Sequence, residues 1–213
     1  MSSASRRAAL PVEHDRRSRI LHATFAVLME HGYAGATMTE IAARARVSKR
    51  ELYALFGNKQ GILAALIAER SALIRAALAM PPVRDRGEFA ATLIAFGKTA
   101  LRELCDPSTT ALNRLAAIER ERAPEVAHAI DQAGREALRT ALIALLVEMQ
   151  AAGLLRRGDA AFMAGQYFAL LFGDLLLRLL LGTTKPPSAK ELAARAEAAT
   201  SALLALHGTA SAD

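Results

Sequence analysis

Apolar residues recur every three to four positions along most of the chain, and the rhythm breaks at Gly, Pro and small polar residues. This pattern predicts helices rather than strands. Ile20, Leu21, Phe25 and Leu28 form a helical stripe over residues 16–31, and Gly32 supplies the left-handed residue that commonly ends a helix. Thr37 opens a second helix reaching about Ala45, with Glu40 at the capping-box offset, and Ser48 opens a third through Phe56, with Glu51 at the same offset. Asn58 caps a fourth helix that carries Ile62, Leu63, Leu66, Ile67, Leu73 and Leu78 and stops at Pro81 and Pro82. Further helices are expected at about 86–104, 108–121, 124–152, 159–181 and 188–207. Pro107, Pro124, Gly153, Gly158, Gly182 and the Pro186–Pro187 pair mark their joints. The expectation is an all-α protein of about nine helices, preceded by an irregular arm over residues 1–15.

Composition supports the helical reading. Alanine, the strongest helix former, takes 48 of 213 positions, and 53% of the residues are hydrophobic, enough for a sizeable core. A single cysteine, Cys105, forms no internal disulfide and reads as a small buried filler. The longest greasy stretch, residues 170–181, contains Asp174 and Arg178. It is shorter than the roughly 20 apolar residues of a membrane span, so no membrane partner is expected. The first thirty residues hold no signal-like apolar run, which points to the cytoplasm.

Charge changes the picture more. Residues 1–60 carry ten Lys/Arg against five acids, so five of the six net positive charges lie there. Such an asymmetry suggests a polyanionic partner for the N-terminal part. Two short helices opened by Thr37 and Ser48, separated by a turn at Arg46 and Val47, form a candidate helix-turn-helix, in which the second helix enters the major groove of DNA. Ile41, Ala42, Val47, Leu52 and Phe56 supply the apolar lock between them, while Ser48, Lys49, Arg50 and Tyr53 offer donors for phosphates and base edges. The five histidines lack metal-ligand spacing, and no phosphate-binding glycine loop or hydrolase signature occurs. No metal, cofactor or catalytic residue is therefore expected, and the protein is read as not an enzyme.

The stretch from Ile20 to Leu66 closely resembles the DNA-binding domain of TetR-family transcriptional regulators. The resemblance rests on Gly32–Tyr33, Thr37, Ile41–Ala42, Val47–Ser48–Lys49, Leu52–Tyr53, Phe56 and Lys59. It implies that Tyr53 projects to a phosphate, that Lys59 holds the DNA backbone, that Lys49 and Arg50 reach bases or phosphates, and that Thr39 is a contact on the preceding helix. Ser48 completes the expected DNA-binding set. Two positions depart from the family pattern. Arg46 stands where the turn usually has glycine, and Arg50–Glu51 replaces a small pair; Glu51 is expected to turn back onto Ser48 or to pair with a base.

The domains expected are an arm over 1–15, the DNA-binding domain over 16–61, a helical regulatory and dimerisation domain over 62–207, and a tail over 208–213. The resemblance further implies a small-molecule effector among the middle helices and a homodimer paired through the last long helices. Candidate pocket residues are Phe89, Leu93, Phe96, Leu112, Arg114, Leu115, Ile118, His128, Gln166 and Tyr167, and the apolar lining favours an apolar effector. Residues 159–181 are apolar around nearly the whole helix circumference, and Phe168, Phe172, Gly173, Leu176 and Leu180 are the candidate dimer contacts. Asp174 and Arg178 are spaced for an i,i+4 ion pair. The resulting reading is a one-component regulator, a repressor released from near-palindromic double-stranded operator DNA by its effector. The alternatives are an all-helical small-molecule-binding or enzymatic protein with an incidental basic N-terminus, or a protein held at a membrane surface by its basic arm.

Overall fold

The computed structural model describes residues 4–78, 83 and 85–209; for residues 4–14 it describes the backbone only. Among the described residues the chain is helical, with no strand and one isolated bridge between Leu155 and Gly208. It folds as two compact units. Of the described residues, those within 4–68 and 114–130 make the first, and those within 69–113 and 131–209 the second.

In the first unit, α1 (Ala4–Gly35), α2 (Met38–Ala45), α3 (Lys49–Phe56) and the first turns of α4 (Lys59–Ala76) enclose Ile20, Leu21, Val27, Leu28, Ile41, Leu52, Ile62 and Leu63. The backbone is helical from Ala4, where an irregular arm was expected through residue 15. Gly32 breaks α1 with φ +68°, as its sequence position predicts, and the chain resumes one further turn to Gly35. Thr37 Oγ1 accepts from the Glu40 N–H at 3.2 Å, Ser48 Oγ from the Glu51 N–H at 3.1 Å, and Asn58 Oδ1 from the Gly61 N–H at 2.9 Å. Each satisfies an otherwise unpaired donor of a helix first turn. The turn between α2 and α3 is closed by Arg46 at φ +55°, a left-handed conformation that costs an L-residue on the order of 1 kcal/mol.

The second unit holds α5 (Arg86–Cys105), α8 (Ala137–Ala151), α9 (Ala160–Phe172), α10 (Leu175–Leu180) and α11 (Ala189–His207). Phe89, Leu93, Phe96, Leu101, Leu142, Leu146, Tyr167, Leu171 and Leu203 make its core. Gly97 leaves room there: a Cβ at that position would stand 2.6 Å from Tyr167 Oη. The Tyr167 hydroxyl donates to the Leu93 carbonyl at 2.7 Å, and burial pushes its pKa up to about 12. Helices α6 (Pro107–Ile118) and α7 (Pro124–Ala129) lie between α5 and α8 in the chain.

Two of the expected helices are divided. Residues 124–152 run as α7, a π-helical segment Ile130–Glu136, and α8. The wider winding of a π segment loosens the carbonyl ladder, and the Ser71 hydroxyl donates to Ala133 O at 2.6 Å. Residues 159–181 divide into α9 and α10 at Gly173, which takes φ +48°. Arg195 of α11 closes the end of α9, donating from Nε to Leu171 O at 2.6 Å and from a terminal nitrogen to Phe172 O at 2.9 Å. The break also removes Asp174 from the helix, and the expected Asp174–Arg178 pair does not form. α11 begins with a reciprocal Ser188–Glu191 capping box.

Candidate nucleic-acid interface

Helix α3 buries Leu52 and Phe56 and turns Ser48, Lys49, Arg50 and Tyr53 outward. Lys49, Arg50 and Tyr53 make no side-chain bond to the described residues, so their donors are uncommitted; Tyr53 is 48% exposed. Thr39, in the first turn of α2, is also exposed. Glu51, the acid that belongs least beside a phosphate, neither turns back onto Ser48 nor stays free. Its carboxylate accepts from Arg16 at 2.6 Å, tying the middle of α1 to the first turn of α3. Arg17 lies 4.8 Å over the Phe56 ring, a second tie between the same helices. The side chains of Arg6 and Arg7 lie outside the described residues.

Lys59 is held on the protein. Its ammonium donates to the Tyr33 carbonyl at 2.7 Å and lies 4.1 Å from the centroid of the Tyr33 ring. A cation at a helix start is disfavoured by the helix dipole, and Tyr33 supplies the compensation. Three ammonium protons against one carbonyl leave donors for a further acceptor.

In the same unit, Glu30, His31 and Glu40 bring their ligand atoms within 4.8 Å of one another. Sequence spacing gave no hint of this grouping, because Glu40 joins from the next helix. The cluster is already satisfied as an ion-pair network: Arg44 clasps Glu30 with two bonds of 2.6 and 2.7 Å, and His31 Nε2 bonds Glu40 at 2.8 Å. The Arg44 clasp holds the Glu30 carboxyl below the ordinary glutamate range. A carboxyl lowered by folding stabilises the fold above its unfolded pKa and loses that contribution as pH falls through the folded value. In an acid titration of the melting temperature the Glu30 contribution is therefore expected to be present above the ordinary glutamate value of about 4.3 and to be lost as pH falls below it, as one part of the total decline. Arg44→Ala is expected to flatten that decline, and an equally steep profile in the variant would remove the assignment.

The expected pocket residues fall in both units. Phe89, Leu93, Phe96 and Tyr167 have no exposed surface and fill the core of the second unit, so their packing role prevails in this structure. Leu112 is buried in the same unit, and Gln166 Oε1 pairs with His207 Nε2 at 2.6 Å. Arg114, Leu115, Ile118 and His128 belong to the first unit, where Arg114 and His128 are exposed, Leu115 is half-buried and Ile118 is 74% exposed. Cys105 is buried, and burial raises its thiol pKa, which disfavours the reactive thiolate.

The expected dimer contacts are also only partly open. Phe168 and Phe172 stack at 5.6 Å and pack against the core, Leu176 and Leu180 are half-buried, and Gly173 serves the helix break. The large apolar side chains left exposed on α9, α10, the following turn and α11 are instead Phe162, Leu170, Leu177, Leu181 and Leu206. The open stripe thus differs from the expected one, on α9 before the Gly173 break as well as after it. Among the described residues no helix is long and apolar enough to cross a membrane.

Comparison with known proteins agrees with this geometry. Residues 20–66 match the model of bacterial regulatory proteins of the TetR family, and residues 91–209, more than half of the chain, match the AefR-like transcriptional repressor C-terminal domain. The chain is 27% identical over 164 residues to the HTH-type transcriptional regulator YvkB of Bacillus subtilis (strain 168), covering 77% of this chain and 83% of that protein. Among solved structures, a TetR transcriptional regulator from Agrobacterium tumefaciens shares 29% identity and a TM-score of 0.72, with 91% of this chain and 95% of that one covered. The flavonoid-responsive regulator FrrA shares 26% and 0.70, with 92% and 98% covered. The helix-turn-helix with its outward basic face and the helical unit that follows have one common explanation: the chain belongs to the TetR family and is a DNA-binding transcriptional regulator.

Proposed function

We propose that the protein is a homodimeric one-component repressor that works in the cytoplasm without catalysing a reaction, and that a small molecule releases it from a near-palindromic operator. The carrying observation is α3. Its apolar side is locked into the first unit, its one acid is neutralised by Arg16, and Lys49, Arg50 and Tyr53 are presented outward with uncommitted donors. Ser48 and Thr39 flank it, and Lys59 stands at the start of the next helix. Phosphate contacts from such side chains position a protein on DNA, and base-edge contacts from α3 supply sequence choice.

Pairing of two copies is supported by the second unit. Phe162, Gly165 and Ala169 are exposed along α9, and Ala194, Ala198, Ser201 and Ala205 give α11 an exposed face of small residues. Two such surfaces bury each other at close range, and a twofold dimer presents two α3 helices to two half-sites.

For the effector, Phe96, Tyr167, Phe168 and Phe172, grouped in the second unit's core with ring centroids 5.6 to 6.2 Å apart, give a molecule room only where they part, and the walls they would then offer favour a planar, largely apolar one. The similarity to the flavonoid-responsive FrrA points the same way. Release follows if the effector binds better to a dimer whose α3 helices no longer match the half-site spacing; equal affinity for both states shifts nothing.

The test is selection of genomic fragments by the purified full-length protein, followed by salt titration of the best fragment. A near-palindromic site preferred at least about a thousandfold over bulk DNA, with a steep salt slope, is the expected result. Weak, sequence-indifferent binding alone would overturn the reading.

A further inference from the structure

An open cleft of about 630 Å³ lies within the first unit, between the middle turns of α1 and the end of α2. Its lining includes Asp15, Ser18, Arg19, His22, Arg44 and Arg46. Three guanidinium groups face one carboxylate, but they are not equivalent. Arg44 is spent on Glu30. Arg19 has only Asp15, at 3.8 Å. Arg46 makes no side-chain hydrogen bond or ion pair with the described residues and is exposed, so all of its donors are unused.

Position adds to charge. Arg46 precedes the Ser48 cap of α3 by two residues, and the Arg16–Glu51 pair holds the middle of α1 against the first turn of α3. Of the residues lining the cleft, Arg46 is thus the one that leads in the chain to the end of α3 carrying Ser48, Lys49 and Arg50. A helix entering the major groove by its N-terminal end has sugar-phosphate backbone on either side of it. A free guanidinium beside that end is chemically matched to a phosphate, which it can bind through two parallel hydrogen bonds. The backbone makes Arg46 a costly way to close the turn, since glycine adopts the same φ without penalty.

We propose that Arg46, with Arg19 beside it in this cleft, grips a duplex phosphate flanking the groove occupied by α3. This adds a clamp to the DNA-binding surface. The inference rests on the DNA-binding function proposed above and extends it to a surface outside α3.

The probe is a short mixed-sequence duplex, bound by the full-length protein over a series of salt concentrations, so that knowledge of the operator is not required. Each phosphate contact contributes about 0.9 to the slope of log K against log salt, so a dimer losing one contact per protomer becomes shallower by about 1.8. Arg46→Gly is expected to show this change and to melt at or above the wild-type temperature, which separates lost contact from lost fold. Arg46→Asn, also tolerant of left-handed backbone, is expected to give the same slope change, and Arg19→Gln a smaller one in the same direction. Wild-type affinity and slope in both Arg46 variants would overturn the proposal while the DNA-binding function stands. A wild-type protein with no affinity for either this duplex or the selected genomic fragments would overturn the function itself.

Discussion

Alanine at Tyr53 is expected to weaken operator binding by at least about 100-fold while leaving folding nearly untouched. The side chain is 48% exposed, and its hydroxyl makes no bond to the described residues. Surface substitutions of this kind usually change stability by less than about 0.5 kcal/mol. A hydrogen bond to a charged group is worth about 1.5 to 3 kcal/mol, and a dimer loses it twice, which sets the lower bound on the lost affinity. Equilibrium binding to the selected fragment, with thermal melting of the same preparation, measures both halves of the expectation. Operator binding within threefold of wild type would place Tyr53 outside the interface.

Phe96→Ala is expected to be the most damaging substitution in the second unit, at about 3 to 5 kcal/mol. The ring has no exposed surface and lies 6.2 Å from Tyr167 and 6.0 Å from Phe168, centroid to centroid. Its removal leaves a void that neighbours bonded in place, such as Tyr167 on Leu93 O, cannot readily fill. At about 2 to 4 °C per kcal/mol for a chain of this size, calorimetry is expected to show the melting temperature fall by roughly 6 to 20 °C. A loss under about 1 kcal/mol would mean that the ring borders an opening instead of filling a core.

The first unit was largely legible in the sequence because its signals are local. Thr37, Ser48 and Asn58 are read as caps from their own position and the residues three places on. Gly32 and Arg46 have the backbone conformations that their places between helices require. Side-chain partners were less legible. Glu51 was expected to fold back or to pair with a base, and it pairs with Arg16, but its local sequence did not identify a partner thirty-five residues earlier; the Glu30–His31–Glu40 group is likewise assembled by packing. In the second unit, apolar positions were recognised, but the direction each faces was not. Residues 159–181 are apolar almost all round, so periodicity could not separate the core side, with Met163, Tyr167 and Leu171, from the open side, with Phe162 and Leu170. The break at Gly173 depends on Arg195 supplying partners for the carbonyls of α9, and that arginine lies in another helix.

The restraint of Lys59 by Tyr33 has a thermodynamic consequence. A free lysine side chain loses up to about 2 kcal/mol of rotamer entropy when it is fixed on a ligand. In this protein the stem is ordered by the Tyr33 carbonyl and ring before any partner arrives, so that cost belongs to folding. Lys59 is thus preorganised, and an acceptor that reaches its remaining protons gains the attraction without the ordering penalty.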